Sequence, residues 1–281
     1  MYKFISLAPP PHRTDPGAEP DRILVWRETK ERYKNFPTWP SQKFTEMPPA
    51  PEGQGPAPEG QGPAPRAQGS QAKSRPYQST LVRVIKRDMI DEAVDLKAAG
   101  ANPLVLNMAD WQVAGGCVEA GSGAQEEECF RRSNYFRTLL QSFYPLGKLD
   151  TIVSKGVEYY RRGAEVNYIY MQPQGTTVKL DMIAQPALRF PQMTRDNKYF
   201  ADDGEAAVFE EKIHMLLRVA ALHGADTLIL SAWGCGAFGC PAHHVAKMFK
   251  KVLTDYNGVF KEVVFAIIGP NYEKFANAWN E

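Results

Sequence analysis

The apolar residues of this chain fall into two patterns, short continuous runs and stretches with helical period, and the two alternate. Leu81-Val82-Arg83-Val84-Ile85 is rich in β-branched residues and predicts a strand. Residues 88–99 place Ile90, Ala93, Val94 and Ala98 on one side and predict a helix. Leu104-Val105-Leu106, bounded by Pro103, is short and wholly apolar, as a buried central strand is. Residues 126–144 predict a helix with an acidic first turn. Candidate strands follow at 151–153, 165–171 and 177–183. Phe209, Ile213, Leu216, Leu217 and Ala220 mark another amphipathic helix. Residues 227–230 form an apolar strand, 243–256 a helix and 263–268 a last strand. Near the start, Asp21 is placed to cap a helix over 22–35, with Ile23, Trp26 and Tyr33 as its apolar positions. Strands alternating with helices define the α/β class, a sheet with helices on both sides.

Two stretches break the pattern. Residues 1–20 carry Pro9-Pro10-Pro11 and Pro16 and are expected to form an irregular arm. Residues 47–79 contain Pro51-Glu52-Gly53-Gln54-Gly55-Pro56-Ala57 followed at once by Pro58-Glu59-Gly60-Gln61-Gly62-Pro63-Ala64, a tandem heptapeptide. The repeat holds no large apolar residue, so burial cannot offset the entropy of ordering it. The expected organisation is therefore an arm and packing helix over 1–46, a flexible insertion over 47–79 and the α/β core over 80–281.

Composition narrows the function. Among 281 residues, 33 basic and 32 acidic side chains nearly cancel, which argues against a sequence-specific nucleic-acid binder or a membrane-surface protein. No apolar run is long enough to span a bilayer, and the apolar stretch at Met1 is too short for a secretory signal. Four cysteines without Cys-x-x-Cys spacing fit free thiols in a reducing compartment, cytoplasmic or nuclear. Cys235, Cys240, His243 and His244 have zinc-ligand chemistry, but their spacing is not that of a familiar zinc site. No metal or cofactor is expected. Arg131-Arg132 and Lys250-Lys251 are expected to be solvated or to edge a phosphate site.

Candidate chemistry gathers in two glycine-rich stretches. Gly115-Gly116-Cys117-Val118 leads, through a spacer, into Gln125-Glu126-Glu127-Glu128, and Gly234-Cys235-Gly236-Ala237-Phe238-Gly239 follows the strand at 227–230. Glycine lets a ligand rest directly on the backbone, and backbone N–H groups in such a loop cradle phosphate. Acids in a first helical turn ordinarily only favour the helix dipole. Here they follow a loop able to deliver a phosphorylated sugar to them. Asn107 sits at the end of the strand at 104–106, where open α/β sheets bind ligands.

Gly-Gly, a short spacer and Gln125-Glu126-Glu127 resemble the signature of the microbial poly(ADP-ribose) glycohydrolases, which are macrodomains. Val105-Leu106-Asn107-Met108-Ala109, Arg131-Arg132-Ser133-Asn134-Tyr135, Ile152-Val153-Ser154, Ala184-Gln185-Pro186-Ala187 and Ser231 to Gly239 fall in the family's order. Arg27-Glu28-Thr29 with Tyr33 resembles its first helix. The resemblance implies a macrodomain-like three-layer α/β/α sandwich with a mixed central sheet. It implies hydrolysis of ribose–ribose bonds with Glu127 as general acid and Glu126 holding ribose hydroxyls. Asn107, Gly115, Gly116, Cys117, Val118 and Gln125 would surround the distal ribose. Gly234, Cys235, Gly236, Ala237 and Gly239 would cradle the diphosphate, and Phe238 could cover the distal ribose. Asp88 resembles the macrodomain Asp that contacts adenine, although a helix N-cap explains it equally well. Cys117 stands where the family has a third glycine, and would be strained if that position requires positive φ. Glu128 is expected to be a solvated helix residue pointing about 100° away from Glu127. The expected partner is ADP-ribose or poly(ADP-ribose) on modified proteins, with the chain a monomer. The alternatives are an ADP-ribose reader without catalysis, or a hydrolase of mono-ADP-ribose on protein or nucleic acid.

Overall fold

The structure, a computed structural model, describes residues 20–51, 75–173 and 175–281. The heptapeptide repeat after Pro51 and the N-terminal proline arm before Pro20 lie outside the described residues. Seven strands form one mixed sheet. They are β1 (Gln42–Phe44), β2 (Leu81–Ile85), β3 (Pro103–Met108), β4 (Thr151–Tyr159), β5 (Val178–Gln185), β6 (Thr227–Leu230) and β7 (Glu262–Ala266), in the order β1-β4-β5-β3-β6-β7-β2. The five strands from β5 to β2 run parallel, and β1 and β4 are antiparallel additions at one edge. Helices α1 (Arg22–Arg32), α2 (Met89–Ala98), α3 (Gln125–Arg131), α4 (Asp203–His223), α5 (Ala242–Thr254) and α6 (Asn271–Asn280) complete the three-layer α/β/α sandwich that was expected.

β3 is the centre of the arrangement. Leu104, Val105 and Leu106 are fully buried between β5 and β6, as a parallel strand covered on both faces must be. Because β3 and β6 are parallel neighbours, the chain leaves both at the same edge of the sheet. The first glycine stretch follows β3 and the second follows β6, so the topology brings together segments more than a hundred residues apart.

Asp21 caps α1 as expected, accepting the Leu24 N–H at 2.9 Å. Trp26 and Tyr33 are buried, whereas Ile23 is exposed. Thr29 ties α1 to the core: its buried hydroxyl bonds the Arg131 carbonyl and the Tyr160 hydroxyl at 2.7 Å. The chain then adds β1, which has only three residues and no readable periodicity, against β4. The ends of the expected insertion are held by the core: Arg218 donates to the Pro48 carbonyl at 3.0 Å and Tyr77 N–H to the Gly258 carbonyl at 3.1 Å.

Two expected elements differ. The helix expected over 126–144 stops at Arg131. Ser133 instead bridges Tyr159, and Asn134 exchanges hydrogen bonds with Glu158, so pairing with β4 replaces further helical turns. Short 3₁₀ turns at Tyr135–Arg137 and Gln141–Phe143 carry the remainder. The strand expected over 165–171 is absent. Ala164–Val166 is a 3₁₀ turn, and Asn167 and Tyr168 both have φ of 53°, which no strand accommodates.

Candidate active site

α3 begins where β3 ends, and Gln125 joins them. Its Oε1 accepts the Met108 N–H at 2.8 Å and its Nε2 donates to the Leu106 carbonyl at 3.0 Å. The side-chain amide thus mimics one more strand at the tip of β3. Gln125, expected at the distal ribose, acts as a clamp that fixes where the acids begin.

Glu126 is buried, and its carboxyl is almost fully engaged. Oε2 accepts the Asp110 N–H at 2.7 Å, and Oε1 accepts from Asn107 Nδ2 at 3.1 Å and the Tyr144 hydroxyl at 3.2 Å. The Gly115 N–H also aims at it. Burial outweighs these donors and pushes its pKa up to about 8. Asn107 is fully buried, and its Oδ1 has no partner among the described residues. Tyr144 was not singled out from the sequence. It belonged there to an expected helix, and only the turn at Gln141–Phe143 delivers it to Glu126.

Glu127 is 6% exposed, with Oε1 accepting the Cys117 N–H at 3.0 Å. Among the described residues nothing bonds its Oε2, and that atom is not among those sealed from solvent. Cys117 has φ of −97°, so the third-glycine position does not require a left-handed backbone and the expected strain is absent. What the position supplies is an N–H, which cysteine carries as well as glycine. Gly116 is the demanding position: φ is 54°, and a Cβ there would lie 2.6 Å from Glu127 Oε1. Gly115 is pressed on the Phe130 ring in the same way. Val118 is buried and opens a 3₁₀ turn, Val118–Ala120, so it supports the loop from below.

Glu128 corrects the sequence reading. It leaves the pair of acids as expected but is not solvated: its Oε1 accepts from the Tyr168 hydroxyl and from Arg131 Nη1 at 3.1 Å. Arg131 and Arg132 are fully buried, not surface charges. Arg132 donates to Asp88 at 2.9 Å and to Asp91. Asp88 is the N-cap of α2, accepting the Asp91 N–H at 2.8 Å, and the Arg132 guanidinium helps hold its carboxyl below the usual range despite burial.

The second loop returns to the same edge. Trp233 anchors it, donating to the Gln185 carbonyl at 3.2 Å at the tip of β5. Gly234, with φ of 76°, is wedged against Ala187 and Cys240. Gly236 and Ala237 are exposed, and among the described residues no acceptor engages the N–H groups of Gly236, Ala237 and Phe238. Three consecutive free N–H groups suit a diphosphate. Cys235 is buried, its thiol pushed up by desolvation, and its carbonyl accepts from Asn271 at 2.8 Å. Cys240 donates to the Leu188 carbonyl, His244 Nδ1 accepts the Phe200 N–H and His243 meets the Tyr199 hydroxyl. No group of three or more metal-ligating side chains occurs among the described residues. Among them, too, no helix is long and apolar enough to cross a membrane.

Fold and site together define a macrodomain-like α/β domain with paired buried carboxylates at the strand ends. The family model for the microbial-type PARG catalytic domain matches residues 47–156, from before β2 to within β4, including the glycine pair and all three acids of α3. No curated protein matches the chain. Among solved structures, the poly(ADP-ribose) glycohydrolase of Thermomonospora curvata matches with a TM-score of 0.68 and 22% identity, covering 92% of this chain and 98% of that one. The form bound to the inhibitor ADP-HPD matches at 0.67 and 20%, covering 91% and 98%. The Deinococcus radiodurans enzyme in complex with ADP-ribose matches at 0.61 and 24%, covering 73% and 87%.

Proposed function

We propose that the chain is a poly(ADP-ribose) glycohydrolase that cuts the ribose–ribose O-glycosidic bond and releases ADP-ribose. The observation that carries this is Glu127: a nearly buried carboxyl with one oxygen pinned by the Cys117 N–H and the other unengaged. Such cleavage passes through an oxocarbenium-like state and needs a proton on the leaving oxygen. Glu127 Oε2 donates that proton, and water then attacks the anomeric carbon. Glu126, neutral near pH 7 and oriented by Asn107 and Tyr144, holds the ribose hydroxyls. The free N–H groups of Gly236, Ala237 and Phe238 receive the diphosphate. The reaction calls on no cofactor. The same reading takes ADP-ribosylated proteins as partners, the chain acting as a monomer with residues 47–79 as an insertion into the domain. Its four free thiols, three of them buried, suit a reducing cytoplasmic or nuclear setting.

The test is Glu127→Gln. General acid catalysis contributes roughly two to four decades of rate, so single-turnover release of ADP-ribose from the polymer should fall by about that factor. ADP-ribose affinity, measured by calorimetry, should change little. Undiminished turnover would remove Glu127 from the role. Tight ADP-ribose binding by a wild type that cleaves no polymer would make the chain a reader, and cleavage of mono-modified substrates alone would move it to the mono-ADP-ribosyl hydrolases.

A further inference from the structure

Arg189 and Phe190 lie just past β5, on the segment that sets Ala187 against the second glycine loop. Phe190 is 68% exposed, the largest exposure among the big apolar side chains described. Its φ of 51° is in the left-handed region, an outlier for a bulky residue. The N–H of Phe190 donates to the Phe238 carbonyl at 2.7 Å, so the glycine loop itself holds this backbone in place. The Arg189 guanidinium sits 5.2 Å from the Phe190 ring centre and 5.9 Å from that of Phe238. Among the described residues no carboxylate pairs with Arg189. Strain that exposes an aromatic ring to water serves no packing purpose, and such outliers concentrate at ligand clamps.

An unneutralised guanidinium between two aromatic faces recognises a phosphate joined to a flat base. We propose that Arg189 and Phe190 form a subsite for the neighbouring unit of the polymer, the adenosine 5′-phosphate portion on the leaving side of the scissile bond. The proposal rests on the hydrolase reading above, because only a polymer supplies a second nucleotide there. Phe238, expected to cover the distal ribose, is bonded directly to Phe190, which sets the clasp beside the sugar whose bond is cut. The adenine stacks on Phe190, and Arg189 meets the phosphate. The subsite thus favours chains of two or more units over free ADP-ribose.

The experiment compares ADP-ribose with a defined two-unit ADP-ribose oligomer by calorimetry in a Glu127→Gln background, where the oligomer survives. Base–aromatic stacking is worth about tenfold in affinity per base on alanine substitution. The two-unit ligand should therefore bind about tenfold more tightly than the one-unit ligand. Phe190→Ala and Arg189→Gln should each remove most of that preference while leaving ADP-ribose affinity within about twofold, and Phe190→Tyr should retain it. With Glu127 restored, Phe190→Ala should raise KM for the polymer and leave kcat in place. A preference that survives both substitutions, or an equal loss for the one-unit ligand, overturns the subsite. If the wild type fails to cleave polymer yet shows a Phe190-dependent preference for two units, the hydrolase reading falls alone. If neither ligand binds, both fall.

Discussion

Glu128 shows how much one side chain's partner matters. On the helical wheel it turns away from the two acids beside it, and solvent is the default for an acid in that position. Here the direction it takes leads to Arg131, whose guanidinium is fully buried and also donates to the Arg22 and Val118 carbonyls at 3.2 and 3.4 Å. Desolvation raises the Glu128 pKa, while Tyr168 and the two arginines act against that rise. Removing one member of a buried pair strands the other charge, at a cost of about 3 to 5 kcal/mol. Glu128→Ala should therefore destabilise the fold by about 3 kcal/mol in urea unfolding, whereas Glu128→Gln, which keeps an acceptor, should lose less. A loss below about 0.5 kcal/mol for the alanine variant would mean that Arg131 finds water instead.

At the scale of elements, the first glycine loop and α3 act as one unit. A helix of seven residues has no independent stability in water. α3 is held by the Gln125 clamp on β3, by the N–H groups donated to Glu126 and Glu127, and by Thr29 of α1. Gly116 is where this unit tolerates least. Alanine there meets both an unfavourable φ and the Glu127 carboxylate at 2.6 Å. With Glu127 as the acid proposed above, Gly116→Ala should reduce turnover at least tenfold, because displacing that carboxyl costs it its alignment, and should lower the melting temperature modestly. Gly236→Ala is the contrast: its φ is not positive and nothing lies within 4 Å of the added carbon, so the fold should keep its melting temperature. Equal stability and turnover for Gly116→Ala and wild type would show that the loop yields more easily than its packing indicates.

For the whole molecule, the buried Glu126 couples folding to pH. Its pKa lies at about 8 in the folded state, against 4.5 for the free group. The folded protein therefore holds a proton that the unfolded chain releases between those two values. Stability falls as pH rises across that window, and the loss is complete above about pH 8. Glu126→Gln is neutral throughout and should lack this slope. Melting temperatures from pH 5 to 9 should show the wild type losing ground to the variant as pH rises, with the difference levelling off beyond pH 8. Parallel curves would mean that Glu126 is ionised in the folded protein at neutral pH.

Local period determined most of the elements from the sequence alone. β2, β3 and β6 fall where their apolar runs lie, and α2, α4 and α5 where the helical spacing lies. The order of the glycine and acid motifs likewise singled out Glu126 and Glu127, which the fold buries side by side, because the spacing from Gly116 to Glu127 is local. Tertiary structure decided the rest. Apolar spacing reports which face is buried but not which strand lies alongside, so only the pairing of β3 with β6 could unite the two glycine loops. The end of α3 was set by competition: Asn134 exchanges hydrogen bonds with Glu158 of β4, and the Arg132 carbonyl accepts the Tyr160 N–H just beyond it, instead of continuing the helix. Three residues were too few to reveal β1 before β4 supplied its partner. The roles of Gln125, Tyr144 and Glu128 depended on which donor or acceptor each met across the fold. For a buried polar side chain that partner determines the energy of the group, and burial, which only the fold decides, is what makes even the nearby Arg131 matter to Glu128.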